Sequence, residues 1–310
     1  MKVALVTGAN GFIGRAACTA FARRGWRVLA GVRQPVTISG TQPALGDLAK
    51  GWALEGVDVV VHLAGIAHQI DAQNAESVYQ EMNCAATERL ARAAVEAGVR
   101  RFVFMSSIKV NGERTPIDRP FRAADVPQPE DRYARSKWAA EQGLARCAGK
   151  LEVVILRPPL VYGPGVRANF LRLIHLVERG LPLPFGAIRN RRSLIYIGNL
   201  VDLILAAAAA PAATGQTLLA ADGQDFSTPQ LVSEIGGALG TPARLVSVPT
   251  ALLRLGGALV GKGAEIGRLV DSLVVDARET RERLAWSPPH TAHEGIAETV
   301  RGHRSAPAAR

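Results

Sequence analysis

Within its first fourteen residues the chain reads MKVALVTGANGFIG, a β-branched apolar run that breaks into three glycines, Gly8, Gly11 and Gly14. The segment that follows, RAACTAFARRG, spaces its apolar residues at helical intervals up to a glycine stop. A buried strand, a glycine turn and a helix in that order are the start of a βαβ unit, and few folds begin so. Glycines at this point let the chain turn tightly and let backbone approach a pyrophosphate, while the opening helix turn supplies unpaired N–H groups and positive dipole.

The same rhythm continues. RVLAGV is a second strand-like run, a plausible short strand precedes Gly46-Asp47-Leu48, and VDVVVHLAG is the next. A long Ala-rich helical stretch from about Ala75 to Gly98 leads into RRFVFMSS, then a helix carrying YARSK, then LEVVILRPP. Short buried strands alternating with amphipathic helices imply an α/β fold with a doubly wound parallel sheet covered on both faces, a Rossmann arrangement. With 48% hydrophobic residues in 310, the chain can bury a large core. After Pro158 the rhythm is lost: SLIYI, QTLLAA and ARLVSVP are strand-like, and PLPFGAIRNRRS reads as loop. The division expected is a dinucleotide domain over 1–160, to which the chain returns around 193–220. A smaller mixed α/β substrate domain comes from 161–192 and 221–300, and a flexible tail from 301–310.

Composition removes several function classes. The three cysteines, Cys18, Cys84 and Cys147, are scattered with no CxxC, against a disulfide framework or a structural zinc site and in keeping with a reducing cytoplasm. The N-terminal apolar run is too short for a secretory signal, and the longest apolar tract is broken by Asn199 and Asp202, so a soluble protein without membrane insertion is expected. A net charge of +10 raises nucleic-acid binding, but the basic residues are dispersed and the one tight cluster, RNRR at 189–192, suits a small anionic ligand better.

Two positions bear on the cofactor. Arg33, just past the second strand in GVRQP, stands where a carboxylate would hold ribose hydroxyls; it favours NADP(H) over NAD(H), although an Arg there is also often merely solvated. Asp47 either accepts from an adenine amino group or caps a turn. Tyr133 and Lys137, four apart on a helix, project from one face toward a common point.

TGANGFIG, HLAG at 62–65, Asn83 opening NCAAT, SSIKVNG at 106–112, YARSK and RPPLVYGPG, in that order, resemble the extended short-chain dehydrogenase/reductase family in its nucleotide-sugar epimerase, dehydratase and reductase branch. The resemblance implies Tyr133 as general acid/base, Lys137 as the cation that lowers its pKa and binds the nicotinamide ribose, and Ser107 as the hydroxyl orienting the reacting oxygen, with Ser106 as its competitor. It implies a dinucleotide held by Gly8, Asn10, Gly11, Phe12, Ile13, Gly14, Arg33, Asp47, Leu48, Leu63, Ala64, Gly65, Asn83, Tyr133, Lys137 and Pro158. On the substrate side it implies Ser107, Lys109, Asn169 and Arg192, with Arg191 a competitor for the diphosphate; His68, near the sugar end, reads more simply as structural. No metal is implied.

The sequence departs from the commoner SSxxVYG pattern with Asn111 in place of Tyr, and Ile108 after Ser107 argues against a dehydratase. The Lys-Val-Asn-Gly form resembles bacterial reductases of UDP-4-keto-6-deoxy-N-acetylhexosamines, which gives a cytoplasmic NADPH-dependent 4-reductase as the first expectation. An NAD-dependent UDP-sugar 4-epimerase is the alternative, and a non-catalytic NADP(H)-binding regulator a third. Relatives often form homodimers through two helices, here the stretch near Ala85 to Gly98 and the YARSK helix.

Overall fold

The computed structural model describes residues 1–47, 50–67 and 75–305; Leu48 and His68, two of the residues considered above, lie outside them. The strands are β1 (Val3–Thr7), β2 (Arg27–Val32), β3 (Gln42–Leu45), β4 (Val59–His62), β5 (Arg101–Met105), β6 (Glu152–Arg157), β7 (Leu160–Tyr162), β8 (Arg192–Tyr196), β9 (Thr217–Leu219) and β10 (Asp225–Phe226). Seven of them form one sheet in the order β3-β2-β1-β4-β5-β6-β9, every pair parallel. The order reverses between β1 and β4, and ligands of such sheets lie outside the carboxyl ends of the strands at that point. The glycine turn after β1 and the Leu63–Gly65 loop after β4 flank it.

Helices α1 (Phe12–Arg23), α2 (Ala75–Tyr79), α3 (Ala86–Glu96), α4 (Arg132–Ala145), α5 (Ala168–Glu178), α6 (Ile197–Ala209), α7 (Thr228–Leu239), α8 (Thr250–Leu259), α9 (Gly263–Val270), α10 (Arg278–Leu284) and α11 (Ala292–Ser305) complete the chain. Alternate residues of β1 serve opposite faces of the sheet. Ala4 and Val6 join Phe21 of α1 and Leu200 of α6 in one core, and Leu5 joins Leu90 of α3 and Leu144 of α4 in the other. The first core runs on through Tyr162, Phe170, Ile235 and Val300, while Leu219, Ala221, Leu273, Val275 and Ala277 of the later segments form a small separate cluster with Ile108.

The smaller sheet, in the order β10-β8-β7, pairs β7 with β8 parallel and β8 with β10 antiparallel. This moves one expected boundary: the return to the large sheet begins with α6 against α1 and ends in β9, whereas residues 193–196 belong to the small sheet. ARLVSVP is no strand; it makes one bridge, Leu245 to Leu183, because its carbonyls and amides serve the 183–186 turn and Pro249 lacks a donor. The expected tail is helical to Ser305, as α11 buries Thr299 and Val300 against the core and carries the next turn with it.

Candidate active site

Gly8 has φ +66, and a Cβ there would sit 2.8 Å from the Ala64 amide nitrogen. A Cβ on Gly14 would lie 2.1 Å from the Gly8 carbonyl oxygen. Both positions are therefore closed to larger residues, and the turn lies flat against the loop after β4. Gly11 precedes α1 with no side chain capping the helix and no acidic residue in its first turn. Its amide donates to the Gly8 carbonyl at 2.9 Å, and the Asn10 carbonyl accepts from Arg15 Nε at 3.1 Å. Phe12 and Ile13 pack on the first core and anchor the helix end. An uncapped helix N-terminus behind a cradle that any Cβ would fill suits a dinucleotide pyrophosphate.

Beneath the turn lies a hydrogen-bonded chain that sequence reasoning missed. Thr87 Oγ1 donates to the Asn83 carbonyl at 2.7 Å, so His62 Nε2, 3.0 Å away, must donate to Thr87. His62 Nδ1 then accepts from Thr7 Oγ1 at 2.7 Å, and Thr7 Oγ1 accepts from the Ala64 amide at 3.2 Å. Burial, reinforced by the Lys137 charge, pushes His62 down to about 3 and keeps it neutral. The glycine turn and the Leu63–Gly65 loop are thus tied to α3 through one imidazole.

Arg33 is exposed one residue past β2. Asp47 Oδ1 accepts from the Lys50 amide at 2.7 Å, which makes it a turn cap whatever else it meets.

The expected single helix from Ala75 to Gly98 is interrupted by a π-helical turn, Gln80–Ala85, a feature frequent at functional sites. It carries buried Asn83, whose Oδ1 accepts from the Ile66 amide at 2.8 Å and whose Nδ2 donates to the Ile66 carbonyl and to Ser136 Oγ, each at 3.0 Å. A Cβ on Gly65 would fall 2.9 Å from Asn83 Oδ1 and 3.3 Å from Lys137 Nζ. The loop after β4, the π turn and α4 therefore meet at one point.

Asp131 caps α4, accepting from the Ala134 amide at 2.6 Å, and so sets the phase of the helix carrying Tyr133 and Lys137. Ser107 lies close enough to the Tyr133 phenol to lower its proton affinity, and its Oγ accepts from the Lys109 amide at 3.3 Å. Ser106 instead donates to Glu141 Oε1 at 2.5 Å, which separates the two serines: 107 faces the phenol and 106 faces the protein interior. Lys137 Nζ donates to the Met105 carbonyl at 2.8 Å and lies 4.6 Å from the centre of the Phe104 ring.

Burial dominates the proton affinities of the phenol and the ammonium in the chain by itself. Burial pushes Tyr133 up to about 12 against the opposing effect of Ser107, and burial pulls Lys137 down to about 8 against the attraction of Glu141. Desolvation sets the direction for both groups, and the Lys137 ammonium is turned onto a backbone carbonyl and an aromatic face.

Behind Lys137, one turn on, Glu141 is 2% exposed and takes Arg157 Nε at 2.9 Å and Nη2 at 2.5 Å. Arg157 Nη1 donates to Asn111 Oδ1 at 2.9 Å, and Asn111 Nδ2 to the Arg122 carbonyl at 2.9 Å. Asn111, the departure noted above, is thus a partner of a buried ion pair. Pro158, next in line, accepts from the Ile108 amide at 3.0 Å.

The residues expected to meet substrate are distributed differently. Lys109 is held by Glu113 at 2.8 Å and Asp131 at 2.5 Å, so its charge is already matched beside the α4 cap. Arg191 pairs with Asp225 at 2.8 Å, whereas Arg192 donates to the Asp271 carbonyl at 2.9 Å and is held below the usual guanidinium range by burial. Asn169 is exposed in the first turn of α5, behind Ala168 at φ +54. The strip 272–276 joins these parts: it accepts from the Thr115 and Ser193 amides and bridges Phe121 through Val275. That links the loop beyond Ser107 to the strand carrying Arg192.

Among the described residues no helix is long and apolar enough to cross a membrane. Over 96% of this chain and 94% of the other, the sequence is 43% identical to a UDP-glucose 4-epimerase of Vibrio cholerae. It is 32% identical, over 81% of this chain and 80% of the other, to a 2-alkyl-3-oxoalkanoate reductase of Stenotrophomonas maltophilia. The solved structure of MoeE5 in complex with UDP-glucuronic acid and NAD superposes with a TM-score of 0.78 at 28% identity, over 98% of this chain and 99% of that one. Residues 4–220 match the family described as NAD dependent epimerase/dehydratase. With the glycine turn, the Asn83 contact and the Ser107–Tyr133–Lys137 cluster all within the matched span, the chain belongs to the NAD dependent epimerase/dehydratase family, the extended short-chain dehydrogenase/reductases.

Proposed function

We propose that the protein is a UDP-sugar 4-epimerase that works with a retained NAD. The observation that carries this reading is the 43% identity, across nearly the whole of both chains, to a UDP-glucose 4-epimerase. The solved relative that holds a UDP-sugar together with NAD supports it. The reading replaces the 4-reductase expected first and the NADP(H) preference inferred from Arg33: an exposed arginine past β2 is a weaker guide to the cofactor than the relatives are.

The residues that would hold the dinucleotide are the Gly8, Gly11 and Gly14 turn with Phe12 and Ile13, the Leu63–Gly65 loop, Asn83, and Lys137 at the ribose. When bound, the dinucleotide supplies the hydride acceptor and a positive ring charge. Tyr133 takes the proton from the sugar 4-hydroxyl and later returns it to the same oxygen. Ser107 hydrogen-bonds that oxygen and keeps it in line with the phenol. Lys137, buried but still an ammonium at neutral pH, steadies the phenolate together with the positive ring. Arg192 is the candidate for the diphosphate, its fork preset by the Asp271 carbonyl.

The test is to supply UDP-glucose and UDP-N-acetylglucosamine without added nucleotide and to identify what the denatured protein releases. Interconversion at C4 with NAD released in near-equal amount supports the reading. Turnover of a 4-keto sugar only when NADPH is added contradicts it and returns the 4-reductase.

A further inference from the structure

Helix α8 and helix α9 form a hairpin whose outer face has no protein partner among the described residues. Within α8, Leu253 and Gly257 turn inward, and a Cβ on Gly257 would meet Ile266 of α9 at 2.5 Å. The opposite arc is apolar throughout: Ala251, Leu252, Leu255, Ala258 and Leu259 are all exposed. Leu252 and Leu255 are each 58% exposed, Leu259 78%, and Val260 just beyond the helix 68%. Single exposed leucines are ordinary; a continuous helical stripe of them is not.

The charges around the stripe are mixed, with cations in excess. The hairpin's carboxylates are already matched, Glu265 by Arg172 at 3.5 Å and Asp271 by Arg254 at 2.5 Å. Lys262, in the turn, and Arg268, on α9, remain as exposed cations on a chain of net charge +10.

We propose that the α8–α9 hairpin docks on an anionic lipid bilayer, with Leu252, Leu255, Leu259 and Val260 entering the headgroup boundary and Lys262 and Arg268 meeting the phosphates. An apolar helical face rimmed by Lys and Arg is the composition of an interfacial helix. A second copy of the chain fits less well. Leu252, Leu255, Leu259 and Val260 together expose on the order of 400 Å² of accessible surface, about half the ~800 Å² per partner of a stable interface. Apposed copies would also bring the Lys262 and Arg268 rims together.

The experiment is flotation of the full chain with phosphatidylcholine vesicles, with and without phosphatidylglycerol, at low and high salt. Wild type is expected to float with the anionic vesicles and to be partly released by salt. Leu255→Glu with Leu259→Glu loses at least about tenfold in binding at unchanged melting temperature, and Lys262→Glu weakens binding mainly at low salt. Should the double variant fold poorly, Leu259→Trp serves instead, its emission moving to the blue only on anionic vesicles. Three results overturn the proposal: wild type left in solution, vesicle binding unaltered by the glutamates, or a wild-type dimer that ignores vesicles and is dispersed by the same substitutions.

Discussion

Replacing Glu141 with alanine removes the acceptor for three donors at once: Arg157 Nε, Arg157 Nη2 and Ser106 Oγ. Both ion-pair partners are almost fully buried, with side chains 3% and 2% exposed, so water cannot take the carboxylate's place. A buried guanidinium left without its counter-charge costs about 3–5 kcal/mol, which for a chain of this size moves the melting temperature down by roughly 10 °C. Arg157→Met in the Glu141→Ala background removes both charges and should recover most of that loss, giving a large favourable coupling in the double-mutant cycle. Urea unfolding of the four proteins at neutral pH measures it. The reasoning also carries a functional readout. Ser106 adjoins Ser107 in sequence and Lys137 lies one turn before Glu141, so the single variant should lose turnover beyond what its unfolded fraction explains. A loss below about 1 kcal/mol for Glu141→Ala, or simple additivity of the two changes, would refute the idea that this pair holds the serine strand and α4 together.

Other changes probe the remaining parts. Tyr133→Phe should lower turnover by about 10²–10⁴-fold while leaving bound nucleotide at the wild-type amount, since the ring still packs and only the proton carrier is gone; released nucleotide and rate are measured on one preparation. Gly14→Ala forces a Cβ toward the Gly8 carbonyl, 2.1 Å away, and should cost about 1–3 kcal/mol and empty the site of nucleotide. His62, pushed down to about 3, stays neutral in the folded chain while the unfolded chain protonates it near 6.5. Its contribution is complete above pH 6.5 and is lost as pH falls toward 3, at up to about 1.4 kcal/mol per pH unit. Urea midpoints between pH 7 and pH 5 should therefore fall less steeply for His62→Gln than for wild type.

Much of the large sheet was legible in the sequence because each strand is a short, doubly buried apolar run between helices of clear period, and the glycine turn marks its first crossover. That Tyr133 and Lys137 share one helix, α4, was legible for the same reason. What the sequence could not convey depends on long-range packing. β8 and β9 look alike as apolar runs, yet one joins the small sheet and the other the large. The π turn at Gln80–Ala85 leaves no periodic mark, since one widened turn shifts the phase of a helix without changing its composition. The choice between Ser106 and Ser107 rested on Glu141, thirty-five positions away from the first of them. Spacing places a lysine on the same helix face as the tyrosine but does not convey the desolvation both groups undergo.

Returning a hydride to the carbon that lost it distinguishes C4 epimerisation through the dinucleotide from every other reaction open to a Tyr–Lys pair. UDP-glucose carrying deuterium at C4, incubated with the protein in ordinary water and no added nucleotide, should give UDP-galactose that keeps its deuterium at C4, and should give none with Tyr133→Phe. Product in which solvent hydrogen has replaced the deuterium, or undiminished conversion by the phenylalanine variant, would contradict the mechanism.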